Sequence, residues 1–120
     1  AALRNKRIKH IYCSSSSTIC VTSTDDVFVC GSNMYGELGL GSKYQNNKSI
    51  STFVPMHFFQ QHQLQLIAFS RSVAANHFFA ITRNHGIYAF GDNRYYQLGL
   101  GDTRNRYEPC KVAGFDAVTV

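Results

Sequence analysis

No apolar run in these 120 residues approaches the ~18 that a membrane-spanning helix requires, so a helical span is excluded. The basic N-terminal stretch is followed by no apolar segment, and no secretory signal is read there. Charged residues are few, at 16% against 44% hydrophobic, a balance that points to a globular chain rather than a disordered one. Helical periodicity is hard to find at any point, and proline is confined to Pro55 and Pro109. Acidic residues are missing before Asp25, whereas Arg4, Lys6, Arg7 and Lys9 crowd the first ten positions. A basic arm over residues 1–7 could touch nucleic acid or an acidic partner. It carries no aromatic ladder and no groove-reading helix, which favours a solvated terminal segment.

Paired short cysteine spacings are missing too. Cys13, Cys20, Cys30 and Cys110 are not spaced as zinc ligands are. At an offset of 60 residues Cys13 stands opposite Val73, Cys20 opposite Ala80 and Cys30 opposite Phe90. Thiols that exchange with such residues are expected to pack as small buried hydrophobes, in a reducing compartment. No catalytic constellation is found either. Asp25 and Asp26 sit in a turn, Asp92 and Asp102 bracket a motif at turn positions, and His57, His62 and His85 fit solvated loops. No catalytic residue, metal site or cofactor site is expected.

What the chain does contain is a repeat. Val27–Ser42 and Ile87–Asp102 align without a gap. Identical pairs are Gly31/Gly91, Asn33/Asn93, Tyr35/Tyr95, Leu38/Leu98, Gly39/Gly99, Leu40/Leu100 and Gly41/Gly101. Seven matches in sixteen columns, four of them unbroken, identify an internal duplication. Each copy opens on a short β-branched or aromatic run and is preceded by another. Ile19–Thr22 and Val27–Cys30 flank Thr24-Asp25-Asp26, and His77–Thr82 and Ile87–Phe90 flank Arg83-Asn84-His85-Gly86. Both read as β-hairpins. Ile8–Ser14 and Leu64–Phe69 read as further strands, with a turn-prone break over the serines from Ser14 to Ser17.

Lys43–Thr52 and Thr103–Glu108 are polar and read as loops, the first the longer. Phe53–Phe58 is an extended or edge segment because of Pro55, and Gln60–Gln63 is a polar interruption. Pro109 takes the part of Pro55 and opens an apolar stretch through Val112, Phe115, Val118 and Val120. The alternating glycines let the backbone turn or come close to a neighbour, while the leucines reach a shared core. Tyr35 and Tyr95 bring an apolar body to the same packed corner. A phosphate loop would need a helix starting behind Gly101, and Asp102–Asn105 starts none.

Ile87–Asn93 with Tyr95, Gln97 and Leu98–Asp102 resembles the repeat of the regulator of chromosome condensation family. Ala74–Thr82, with His77, resembles that family's small-residue, histidine and strand segment, and Pro109 with Val112 resembles its closing strand. The resemblance runs from about Ile8 to Val120. The first copy departs from the pattern at Ser17, Cys30 and Asp25-Asp26, and both copies lack its glycine in the small-residue segment, with Ser14 and Ala74 there.

The resemblance implies an all-β fold of four-stranded propeller blades, of which a whole ring has generally about seven. The expected division is a basic arm (1–7), a first repeat (8–66) and a second repeat (67–120). Two repeats cannot close a ring, and repeat arrays need about three units to stand alone. The chain is therefore expected to be part of a longer propeller, or to be completed by self-association or a partner. The implied function is a protein-interaction module, inside the cell in cytoplasm or nucleus, with no membrane. The alternative is guanine-nucleotide exchange on a Ran-type or related small GTPase. There Ser42–Thr52 and Phe58–Leu64 are the candidate protruding segments. Chromatin binding ranks below both.

Overall fold

The computed structural model describes residues 3–70, 76–83 and 86–112. Eight strands form two separate four-stranded antiparallel sheets, each a meander in chain order. The first sheet holds β1 (Ile8–Cys13), β2 (Ser17–Thr22), β3 (Val27–Ser32) and β4 (Ser49–Met56). The second holds β5 (Leu66–Phe69), β6 (His77–Thr82), β7 (Ile87–Gly91) and β8 (Arg106–Lys111). This is the all-β, blade-type architecture expected from the sequence. Asn84 and His85 of the second expected turn, Ala74, Phe115, Val118 and Val120 lie outside the described residues.

The central hairpins form where β-branched and aromatic residues alternate. In β2–β3, Ile19 pairs with Val29 and Cys20 with Phe28; in β6–β7, Phe79 pairs with Ala89 and Ala80 with Tyr88. Ser17 faces Gly31 as His77 faces Gly91, so the serine and the histidine hold one register position.

The two sheets share a core. Tyr12, Ile19, Val29, Leu38 and Met56 of the first unit pack with Phe69, Phe78, Ala80 and Phe90 of the second. The Tyr12 ring meets Phe69 edge-on at 5.4 Å, and Phe78 stacks on Phe90 at 5.8 Å. Each fully buried side chain of this size contributes ~1.5–3 kcal/mol, so neither sheet hides its apolar face without the other.

Several expectations need correction. The loop expected over Lys43–Thr52 is a 3-10 turn at Ser42–Tyr44, and β4 begins at Ser49, three residues inside the expected loop's end. Likewise β8 begins at Arg106, within the expected Thr103–Glu108 loop. In both places ladder pairing comes from the backbone, Ile50 with Gly31 and Arg106 with Gly91, and polar side chains do not prevent it. The polar interruption at Gln60–Gln63 is entered by a one-turn helix, α1 (Phe58–Gln61), whose Phe59 is buried. A single turn is too short to show a helical period.

Pro109 does not take the place of Pro55. Val54 pairs with Val29 and Cys110 with Ala89, which puts Lys111 opposite Tyr88 where Pro55 is opposite Phe28. Of the four cysteines only Cys20 is fully buried; Cys30 and Cys110 are half-buried and Cys13 is exposed. Cys13 ends β1, a strand at the sheet's edge, so only one neighbouring strand covers it. All four thiols are free.

Candidate interaction surface at the two corners

The repeated glycine-rich segments follow β3 and β7 and turn the chain toward β4 and β8. Each starts at a glycine with φ of 107°, Gly31 or Gly91. A Cβ on Gly31 would lie 2.5 Å from the Ser16 carbonyl oxygen, and one on Gly91 2.6 Å from that of Asn76. The approach of the preceding strand therefore excludes any side chain there.

A buried asparagine pins each corner. Asn33 Oδ1 accepts the Leu38 N–H at 3.2 Å, and its Nδ2 donates to the Tyr44 carbonyl at 3.2 Å. Asn93 repeats this, accepting from Leu98 N–H at 3.1 Å and donating to the carbonyls of Asp102 and Arg104 at 2.8 and 2.9 Å. Its own N–H donates to Asn105 Oδ1 at 2.8 Å. Leu38 and Leu98 are both fully buried, and Leu40 and Leu100 are partly so. One asparagine side chain thus satisfies backbone groups that the turn would leave bare.

The corners differ in what covers them. The first lies against β8 of the second sheet. Gly41 N–H donates to the Tyr107 carbonyl at 2.6 Å, and the Tyr107 hydroxyl donates to the Met34 carbonyl at 3.1 Å. Gly36 fits directly under that strand: a Cβ there would be 2.4 Å from the Arg106 carbonyl oxygen and 2.6 Å from Tyr107 Cα. Gly39 is buried against Met56 and Phe90, and a Cβ there would fall 2.9 Å from Met56 Cε.

Among the described residues the second corner is open, which corrects one expectation. Tyr95, expected in a packed corner, is a surface residue, 78% exposed, and Tyr96 beside it is 64% exposed. Gly99 and Gly101, expected to let the backbone turn or come close to a neighbour, take the first alternative: both have positive φ, 70° and 84°, and both are exposed. A Cβ on Gly99 would meet only Val112 Cγ1, at an ordinary contact distance of 3.7 Å, and one on Gly101 would meet nothing within 4 Å among the described residues. Gly99 is therefore not a point of close approach. Its part in the corner is the turn itself, taken at φ of 70°. The physical reason for the exposure of Tyr95 is that among the described residues no strand lies over this corner as β8 lies over the first. Tyr35, the counterpart of Tyr95, is half-buried, and the guanidinium of Arg94 covers its ring at 4.3 Å. The packing of a corner comes from the next sheet, which identical residues within the motif cannot reveal.

Charge is organised around the same joint. Arg94 donates to both oxygens of the buried Asp92, at 3.0 Å each, and holds that carboxyl below its ordinary range. Asp102 takes a similar fork from Arg106 at 3.1 and 2.9 Å, with the Arg104 N–H at 2.9 Å, and its carboxyl is also held well below the usual value. Burial lowers the His77 pKa, while the nearby Asp92 opposes the shift.

Glu37 is the residue that sequence reasoning missed. It is completely buried, its Oε1 accepts the Tyr35 N–H at 2.8 Å, and among the described residues Oε2 has no hydrogen-bond partner. Burial pushes its carboxyl up, and the Asp92 charge adds to the shift. Gln97 takes the same position in the second corner, its Oε1 accepting Tyr95 N–H at 2.7 Å. The signal available in the sequence was this Glu37/Gln97 exchange inside an otherwise matching motif.

The two candidate protruding segments are partly built into the fold and partly exposed, at Lys43, Gln45–Lys48 and Gln60–Gln63. Ser49–Thr52 belongs to β4, and Phe59 anchors α1 in the core. The basic arm is tied down in part: the Arg7 carbonyl accepts the Ser23 N–H at 2.8 Å, and Lys6 Nζ stands 5.6 Å over the Phe28 ring. Among the described residues no group of three His, Cys, Asp or Glu side chains converges as a metal site, and no helix is long and apolar enough to cross a membrane.

Residues 84–120 match the model of the Regulator of chromosome condensation (RCC1) repeat. The chain is 34% identical to the Arabidopsis thaliana ultraviolet-B receptor UVR8 over 113 residues, which is 92% of this chain and 23% of the relative. It is 35% identical to the human X-linked retinitis pigmentosa GTPase regulator over 97 residues, 81% of this chain and 9% of the relative. Among solved structures it superposes on Prp20p of Saccharomyces cerevisiae with a TM-score of 0.75 at 14% identity, covering 95% of this chain and 27% of that one. The chain thus spans less than a quarter of either sequence relative.

Proposed function

We propose that the chain serves as a protein-interaction module within a larger propeller ring, its two duplicated units both being of the regulator of chromosome condensation type that residues 84–120 match. In this reading residues 1–7 are an arm, 8–66 the first repeat and 67–120 the second. One observation carries the proposal. The second corner has the pinned asparagine and buried leucine of the first, yet Tyr95 and Tyr96 stand exposed where β8 covers the first. Exposed aromatic residues on a rigid frame are the usual anchors of protein contacts. Four free thiols fit a reducing, intracellular setting.

The test is binding of the chain to a candidate protein partner, compared with a Tyr95→Ala, Tyr96→Ala double variant. The expected result is a loss of affinity of about tenfold or more, since aromatic hot spots commonly carry that much. Unchanged binding would remove this corner from the contact.

Nucleotide exchange on a small GTPase is the second reading. Prp20p, which superposes on this chain, has been characterised for its binding to Gsp1p and histones. Exchange needs a higher affinity for the nucleotide-free GTPase than for the loaded one. Release of a fluorescent guanine nucleotide from a panel of small GTPases measures it directly, and no acceleration by the chain leaves the scaffold reading alone.

A further inference from the structure

Between the β2–β3 turn and the segment joining β4 to β5 lies a cavity of about 220 Å³, with Leu66 of the second sheet on one side. Its floor is apolar: Val27, Met56 and Phe59 are buried, and Leu64 is half-buried. Its mouth is polar, since Thr24, Asp25, Gln60 and Gln65 are exposed. The site exists because the linker doubles back. Phe59 enters the core, the Leu64 N–H donates to the Phe59 carbonyl at 2.8 Å, and Gln63 makes the reversal at φ of 55°. Gln60 Nε2 donates to Asp26 Oδ1 at 2.6 Å, which ties the linker to the turn beside the mouth.

Water over such a floor finds few hydrogen-bond partners, so an apolar group displaces it favourably. The volume is below the ~300 Å³ at which sites for drug-sized ligands begin, which suits one side chain rather than a nucleotide or cofactor. An apolar cavity of about 150 Å³ already takes benzene, so a bicyclic ring fits this one. The mouth selects further. Asp25 Oδ1 accepts from Lys9 Nζ at 2.9 Å, and Oδ2 has no partner among the described residues. Lys9 already balances that charge, so the free oxygen suits a neutral donor rather than a second cation. Phenylalanine has no donor, and a tyrosine entering from outside would carry its hydroxyl down to the apolar floor. An indole enters with its six-membered ring down and its N–H near the point of attachment, apolar at one end and wet at the other. We infer that this cavity receives a tryptophan side chain of a protein partner, its ring on Val27, Met56 and Phe59 and its N–H donating to Asp25. These 120 residues contain no tryptophan, so the ring comes from outside them. The inference rests on the interaction-module reading and gives that module a second contact.

The same lack of tryptophan makes indole fluorescence a direct reporter of the site. Indole, 1-methylindole and glycyl-tryptophanyl-glycine are each titrated with wild type, Asp25→Gly and Leu64→Phe. Glycine keeps the φ of 65° at Asp25 without strain, and phenylalanine at Leu64 takes up cavity volume. Wild type is expected to shift the emission of indole and of the tripeptide to the blue. Methylation removes the donor and should weaken binding about threefold or more, whereas Asp25→Gly should cost indole as much and 1-methylindole nothing. Leu64→Phe should weaken all three probes about tenfold or more. If that variant does not fold, the comparison of indole with 1-methylindole on the other two proteins still decides. No blue shift overturns the inference, as does binding that a folded Leu64→Phe leaves unchanged. So does 1-methylindole binding as well as indole, and so does indole binding where the tripeptide does not, which would assign the cavity to a free small molecule. None of these probes or variants involves Tyr95 or Tyr96, so the interaction-module reading is judged separately by their double variant.

Discussion

The guanidinium of Arg94 lies 4.3 Å over the ring of Tyr35, although the two residues sit in the turns after β7 and β3, strands of different sheets. The same guanidinium fills both oxygens of Asp92, so one side chain joins a buried carboxylate to the neighbouring unit's corner. Arg94→Ala should leave Asp92 without its fork and Tyr35 without its cover. The expected loss is read as a lower urea midpoint with an unchanged slope. Arg94→Lys keeps the charge without the planar fork and should fall between the two. A variant as stable as wild type would mean that solvent replaces both contacts.

Gly36 and Gly101 offer a contrast within one fold. Both have positive φ, but a Cβ at Gly36 meets the backbone of β8, whereas one at Gly101 meets nothing within 4 Å among the described residues. Gly101→Ala should cost about 1–2 kcal/mol from the backbone conformation alone. Gly36→Ala adds the displacement of β8 and should cost more, about 3 kcal/mol or above. Equal urea midpoints for the two variants would sink the close approach of β8 to the first corner.

Much of this fold could be read from the chain, because its central strands carry their own signal. The β-branched and aromatic runs at Ile19–Thr22 and His77–Thr82 lie within β2 and β6, and the gapless match of the two motifs located both corners. The remainder depends on neighbours distant in sequence. Ser49–Thr52 reads as loop because its side chains are polar, yet its backbone completes a sheet begun far upstream. Tyr35 and Tyr95 are identical letters at matching positions of the motif, as are Gly39 and Gly99; whether each is covered depends on the sheet that follows. Glu37 reads as a surface acid until the neighbouring sheet buries it. The arginine on Tyr35 comes from the other repeat, and no local pattern anticipates it.

His77 gives an acid-side dependence. Burial lowers its folded-state pKa below the ordinary 6.5, Asp92 opposing, so the fold disfavours the imidazolium. Its stability contribution is therefore complete above the unfolded value and is lost as pH falls through it toward the folded one. The slope for one proton cannot exceed about 1.4 kcal/mol per pH unit. His77→Ser, which copies Ser17 at the same register position, should flatten stability between about pH 6.5 and 5. Thermal melts across that range decide it. An unaltered slope would assign the dependence to other groups.

Glu37 acts on the opposite side. Its folded-state pKa is raised above the unfolded value of about 4.3, so the fold holds the proton more tightly than the open chain does. The associated stability is complete below that unfolded value and is lost as pH rises through the folded one. Above the folded value the joint contains a buried carboxylate whose Oε2 has no partner among the described residues. Glutamine should relieve it, because Gln97 already makes the same bond to Tyr95 N–H that Glu37 makes to Tyr35 N–H, at 2.7 against 2.8 Å. Glu37→Gln is expected to raise the urea midpoint at pH 8, by an amount equivalent to about 1–3 kcal/mol, and to converge on wild type toward pH 4. If the variant were instead less stable at pH 8, the ionised carboxylate would be holding the two sheets together, and the shift assigned to burial would have the wrong sign.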